Sequence, residues 1–167
     1  MLAPFVVLLA LLVLAAGMPD TAQAGCHKSG KSVSNMSKKT ARDAIVCLFN
    51  KGRSAKNLNR NGKLKTAAQG HASVMASQHC FSHQCPGEPS LKDRVARTGY
   101  LSGASGYELG EVIINQRDKA SPRRIARKWL DSPSHSAIIR KSTFDHVGVG
   151  LSIRGGFVWA AADFGHR

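Results

Sequence analysis

Seven histidines and ten carboxylates are the groups in this 167-residue chain that could move protons or ligate a metal. Their positions separate them. His83 lies in a short loop between Cys80 and Cys85, after Phe81 and Ser82. A loop histidine on a braced scaffold is placed for function, although a surface histidine in a tight turn has the same pattern. His71 falls on the apolar stripe of a predicted helix, where a histidine is more often a core residue with a satisfied hydrogen bond. His135 follows Pro133 by two residues, where it can cap a helical turn or serve a site. His146 precedes a strand and reads as an edge residue. His27, His79 and His166 fall in no pattern. Glu111 follows Gly110 and precedes Val112-Ile113-Ile114. A carboxylate at the mouth of a sheet can be a metal ligand, a general base or an acceptor for backbone N–H groups, and the sequence leaves these open. Ser82, Ser132 and Ser134 are near histidines, as chance allows in a serine-rich chain. The chain has no G-x-S-x-G, H-E-x-x-H, phosphate-binding loop or dinucleotide fingerprint.

Elements that must position these groups follow from periodicity. Ala41, Ala44, Ile45 and Leu48 predict a helix from Ser37 or Thr40 to Gly52. Leu64, Ala67, Ala68, His71 and Met75 predict a second over 63–78, after a turn-rich connection at 57–62. Ser90 with Asp93 opens a short third helix ending at Gly99. The stretch 103–110 reads as loosely ordered, and 111–115 as a short strand. Ser121-Pro122 starts a fourth helix with Ile125, Ala126, Trp129 and Leu130 inward. Ser132-Pro133 restarts a helical turn through Ile139. Val147, Val149, Leu151 and Ile153 alternate, Gly155-Gly156 is a hairpin turn, and Phe157 to Phe164 is the return strand. Helices followed by a terminal hairpin predict an α+β fold.

The twelve apolar residues from Phe5 to Ala16, followed by Ala22-Gln23-Ala24, read as a secretory signal peptide over 1–24. The run is too short to span a membrane, which takes ~20 residues. Lipidation at Cys26 and uncleaved anchoring are the alternatives. The expected localisation is extracellular or periplasmic. Residues 25–40 then form a polar lead-in, poorly packed except where Cys26 is tied down, and 41–167 form one domain. Four cysteines in an exported chain read as two disulfides. Of three pairings, Cys80–Cys85, which closes a tight loop, and Cys26–Cys47, which ties the tail to a helix, are favoured. Beyond the leader the chain carries 24 Lys and Arg against 9 acidic residues, a net charge of +15. That surplus attracts anionic lipid, envelope polymer or nucleic acid, unless it is only a solvated surface. With 6% aromatics and no recognition motif, nucleic acid ranks last.

The order of short motifs is more specific than any one of them. Leu48-Phe49-Asn50 with Arg53, then Leu58, Asn61, Leu64 to Ala68, His71 and Met75, resembles the opening helices of the CAP superfamily. This is the SCP-domain family of cysteine-rich secretory proteins, antigen 5 and pathogenesis-related protein 1. Phe81-Ser82-His83 resembles the phenylalanine-serine-histidine motif of its bacterial members. Asp93-Arg94, Gly99-Tyr100, Gly110-Glu111, Trp129 with Ser132-Pro133-Ser134-His135, Gly148-Val149-Gly150 and Trp159 to Phe164 follow in family order. The resemblance runs from Ala41 to Gly165 and is to a bacterial-type member.

It implies an α-β-α sandwich whose small, mainly antiparallel sheet is flanked by helices. It also implies a cleft in which His83, Glu111 and His135 converge. Ser132 stands where eukaryotic members carry a second acid, and Val112 where the family commonly has Asn. The cleft is expected either to hold zinc or another divalent metal through His83, His135 and Glu111, or to be a hydrogen-bonded cluster that sets loop geometry. Three functions are expected in turn. They are a non-enzymatic, monomeric binding module for lipid or anionic envelope ligands, a metal-dependent, protease-like hydrolase using the His/Glu cleft, and a secreted effector acting on an unknown protein partner.

Overall fold

The computed structural model describes residues 25–167, so the expected signal peptide at 1–24 lies outside the described residues. Five helices form where stripes and start signals predict them: α1 (Lys38–Lys51), α2 (Gly62–Gln78), α3 (Leu91–Arg97), α4 (Pro122–Asp131) and α5 (Pro133–Arg140). Local capping sets their starts. Ser37, Asn61, Ser90 and Ser121 each accept a backbone N–H from the first turn, satisfying donors that a helix start leaves free. α2 stops at His79, which adopts a left-handed conformation with φ 53°.

Four strands form one sheet in the order β1-β3-β4-β2: β1 (Asn59–Arg60), β2 (Glu108–Arg117), β3 (His146–Arg154) and β4 (Phe157–His166). β1 runs parallel to β3, and the other pairings are antiparallel. Gly155 and Gly156, with φ 59° and 74°, make the turn between β3 and β4.

The alternation of β4 divides the molecule into layers. Val158, Ala160, Ala162 and Phe164 face a core shared with α1, α4 and α5, which contains Phe49, Ile125, Trp129 and Ile139. Burying each such side chain contributes roughly 1.5–3 kcal/mol. Trp159, Ala161 and Asp163 face the opposite side, where Ala68, Met75 and Ala76 of α2 pack. α2 lies almost backbone-on-sheet. A Cβ on Gly148 would come within 2.0 Å of the Lys65 nitrogen, and one on Gly150 within 2.2 Å of the Ala68 carbonyl. Sheet order and layers give an α-β-α sandwich of the α+β class. Among the described residues no helix is long and apolar enough to cross a membrane.

Three expectations are corrected. The lead-in is packed beyond Cys26: Ser29 and Val33 are buried. The Val33 N–H bonds the Ala120 carbonyl, and the Arg123 N–H bonds the Ser29 carbonyl. One buried valine and two long-range backbone bonds suffice to order a polar segment. β2 has ten residues rather than five and includes Glu108–Gly110, because its pairing with β4 continues to Glu108 opposite His166. The turn-rich connection after α1 holds β1, whose two residues pair with His146 and Val147.

Candidate functional site

Glu111 lies on the α2-facing side of β2, directly across the ladder from Asp163 of β4. Both are buried. Glu111 Oε1 accepts a hydrogen bond from His83 Nδ1 at 2.8 Å, and Oε2 accepts one from Arg94 Nη2 at 2.5 Å. His71 Nε2 is 3.8 Å from Oε2, while His71 Nδ1 contacts both oxygens of Glu88 at 2.8 and 2.9 Å. Arg94 Nη1 donates to the carbonyls of His83 and Pro89, both at 3.1 Å. The Cys85 N–H donates to Glu88 Oε2 at 3.2 Å. Thus α2, α3, β2 and β4 each supply an ionisable side chain to one buried cluster, which holds the His83 loop by ring and backbone together.

The disulfides complete the bracing. They are Cys26–Cys47 and Cys80–Cys85, the favoured pairing. The second closes the loop that carries His83, whose side chain is 60% exposed. The network therefore has an open end at His83 and a closed end at Asp163.

Charge is distributed unevenly along it. Burial pushes the Glu111 carboxyl up, but the His83 hydrogen bond and the Arg94 charge outweigh it and hold the group below its ordinary range. Asp163 is fully buried, and neither of its oxygens has a donor partner unless one of them carries a proton. Burial first, and then the Glu111 charge, raise its pKa well above the ordinary carboxylate value. Asp163 is therefore the member of the pair that holds a proton the more readily. The Glu111 bond raises His83 above the ordinary imidazole value.

His135 and Ser132 form a second pair at the start of α5. His135 Nδ1 and Ser132 Oγ are 2.8 Å apart. Burial, and then the charge of His83, lower the His135 pKa. His135 and Ser132 line an open groove of about 310 Å³ with Phe81, Ile113, Trp129 and Lys128. Trp129 closes its floor by donating from Nε1 to the Ile113 carbonyl at 2.9 Å. The structure thus places the four expected cleft residues as two hydrogen-bonded pairs, with His83 and His135 close enough for one to feel the other's charge. A wider cavity of about 570 Å³ lies between α1 and β1, but it contains no histidine, and its Arg60 and Asp43 are paired with each other.

The residues do not fit the zinc site that the resemblance implies. Among the described residues no three His, Cys, Asp or Glu side chains gather to hold a metal ion. Both Glu111 oxygens are engaged, and one has a guanidinium 2.5 Å away, where a second cation would be repelled.

Sequence reasoning missed Glu88 and Asp163 and gave Arg94 no role. It also read His71 only as a core residue. His71 is fully buried, yet its Glu88 contact makes it part of the network. Asp163 did leave a signal: a lone carboxylate in the apolar run Trp159 to Phe164 must find a partner or a proton. Glu88 left none.

A three-layer domain with a disulfide-braced histidine loop over a His–Glu–Arg–Asp network is the class that this fold and site define. The chain belongs to the cysteine-rich secretory protein (CAP) family, whose family model matches residues 46–160. No curated protein matches it. An extracellular SCP-domain protein from Bacillus anthracis superposes with TM-score 0.66 at 22% identity, covering 79% of this chain and 44% of that protein. The chain thus spans less than half the length of that relative. An outer surface protein from Borrelia burgdorferi gives TM-score 0.66 at 15% identity, with 79% and 96% covered. Venom allergen-like protein 4 of Schistosoma mansoni gives 0.55 at 12%, with 79% and 92% covered. These likenesses are of fold.

Proposed function

We propose that this protein acts outside the cytoplasm as a non-enzymatic binding module for anionic envelope ligands, lipid or polymer. One observation carries the reading: the positive surplus is available at the surface. Of the 24 Lys and Arg side chains, ion pairs engage only Lys39, Arg60, Arg94 and Lys141 among the described residues. Unpaired surface cations raise the local concentration of anions and bind them in a salt-dependent way. The cleft adds a reason to prefer binding over catalysis. Glu111, the carboxylate nearest the exposed His83, already accepts from His83 and Arg94. A general base needs a free acceptor within reach of the proton it takes.

The test is sedimentation of the oxidised protein with phosphatidylglycerol vesicles and with isolated envelope polymer, against neutral vesicles. Binding to an anionic target that weakens between about 50 and about 200 mM salt is expected. Equal partition to neutral and anionic targets, or none to either, would overturn the reading.

A further inference from the structure

α4 turns Ile125, Ala126 and Trp129 into the core and leaves Arg124, Arg127 and Lys128 exposed, with Arg123 half-buried beside them. Arg123 and Arg127 are four residues apart, and so are Arg124 and Lys128. The four cations therefore form two rows with roughly 6 Å between successive charges along the helix axis. Arg117 and Lys119, both exposed, extend the charge past the end of β2. None of these six is in an ion pair among the described residues. Arg123 Nη2 rests on Ser29 Oγ at 3.5 Å, which anchors its end of the rows.

Three hollows lie against these cations. A groove of about 500 Å³ along α4 is lined by Arg123, Arg124, Arg127 and Lys128, with Asp131 its single carboxylate. It shares Arg124 with a smaller hollow of about 130 Å³ that also carries Arg117 and Lys119. It shares Lys128 with the groove that ends at Phe81, Ser132 and His135. A line of positive charge therefore leads from the end of β2, along α4, to the mouth of the His83–His135 cleft.

The chemistry of the rows selects the occupant. Arginine forks bind phosphate oxygens in pairs, and three of the four α4 cations are arginines. Regular repeats of cations along a groove suit a ligand with regular anions. A bilayer-seated surface needs apolar side chains that insert beside the cations. Of the exposed large hydrophobics, Phe81, Tyr107 and Ile153, none is on α4, and only Phe81 touches the track, singly and at its far end beside His135. A nucleic-acid track needs aromatic faces between its cations for bases to stack on, and the α4 rows have none.

We infer that the α4 face is a docking track for a linear, base-free phosphate polymer, with the chain directed toward His135. This rests on the proposed binding of anionic envelope ligands and narrows it to one face and one ligand chemistry. The test compares long-chain inorganic polyphosphate, phosphatidylglycerol vesicles and oligo-dT as probes. The variant R124Q/R127Q/K128Q is set against K38Q/K92Q/R97Q, which removes equal charge from exposed positions on α1 and α3. All six positions are exposed, so both variants should melt like the parent protein. Polyphosphate affinity is expected to fall at least about 10-fold in the α4 variant, with the log–log salt slope reduced by about 2, and to change little in the control. His135 ring resonances should shift when polyphosphate is added to the parent protein. Equal losses in both variants would overturn the track and leave the broader anionic-ligand reading standing. Binding of none of the probes by the parent protein would overturn both. Tighter binding to vesicles or to oligo-dT than to polyphosphate would overturn the ligand assignment, and an unmoved His135 would overturn the direction of the chain.

Discussion

Glu111 and Asp163 stand opposite one another on neighbouring antiparallel strands, both buried, one charged and one holding a proton. Two like charges at that separation in a low dielectric would repel strongly, so the pair shares one negative charge. Arg94 and His83 draw that charge to Glu111, the member nearer solvent through His83. The cleft thus runs from an exposed imidazole at His83 to a fully enclosed carboxyl at Asp163.

Replacing Asp163 by Asn keeps a neutral donor beside Glu111. The folded pKa of Asp163 is raised above its unfolded value near 3.8, so its contribution to stability is complete below that pH and is lost as pH rises toward the folded value. Asp163→Asn removes this loss. The variant should gain on the parent protein as pH rises from about 4 to about 8 in urea melts at several pH values. A pH-independent difference would show that Asp163 is not the proton holder.

The two cleft histidines should titrate on opposite sides of the ordinary value. Imidazole NMR is expected to place His83 above 6.5, through its Glu111 bond, and His135 below, through burial and the His83 charge. In His83→Ala, His135 should move upward, because one of its two depressing causes is gone. In Glu111→Gln, His83 should move downward. An unmoved His135 would show that the two pairs do not communicate.

Zinc provides an independent test of the cleft. Arg94 on Glu111 predicts no stoichiometric zinc in the oxidised protein and a melting curve that EDTA leaves unchanged. Arg94→Lys, which keeps a cation beside Glu111, is the informative variant. It should lengthen the contact to Glu111 and still retain no zinc.

The seat of α2 on the sheet predicts the largest stability loss from a single methyl. Gly148→Ala drives a Cβ into backbone 2.0 Å away, where no rotamer can relieve it. The expected cost is about 3 kcal/mol or more, whereas Gly62→Ala, in the first turn of α2 where a Cβ meets nothing within 4 Å, should be neutral or stabilising by up to about 1 kcal/mol. Thermal melts of the two variants would separate them.

What the sequence determined by itself is local or ordered along the chain. The five helices follow from apolar spacing and from caps such as Ser90 and Ser121, and the terminal hairpin from alternation around Gly155-Gly156. The family could be read from ordered motifs, because each motif marks a position where the fold needs one residue type, as at Gly148 and Gly150 under α2. The site was legible only where a residue stood out locally, as His83 did between two cysteines. Glu88, Arg94 and Asp163 were not, because their partners lie across the fold: Arg94 is 17 residues from Glu111, and Asp163 meets Glu111 through strand pairing. Only the tertiary structure decided which carboxyl is charged. Burial and neighbouring charge set that, and both are properties of the packed sheet rather than of any segment.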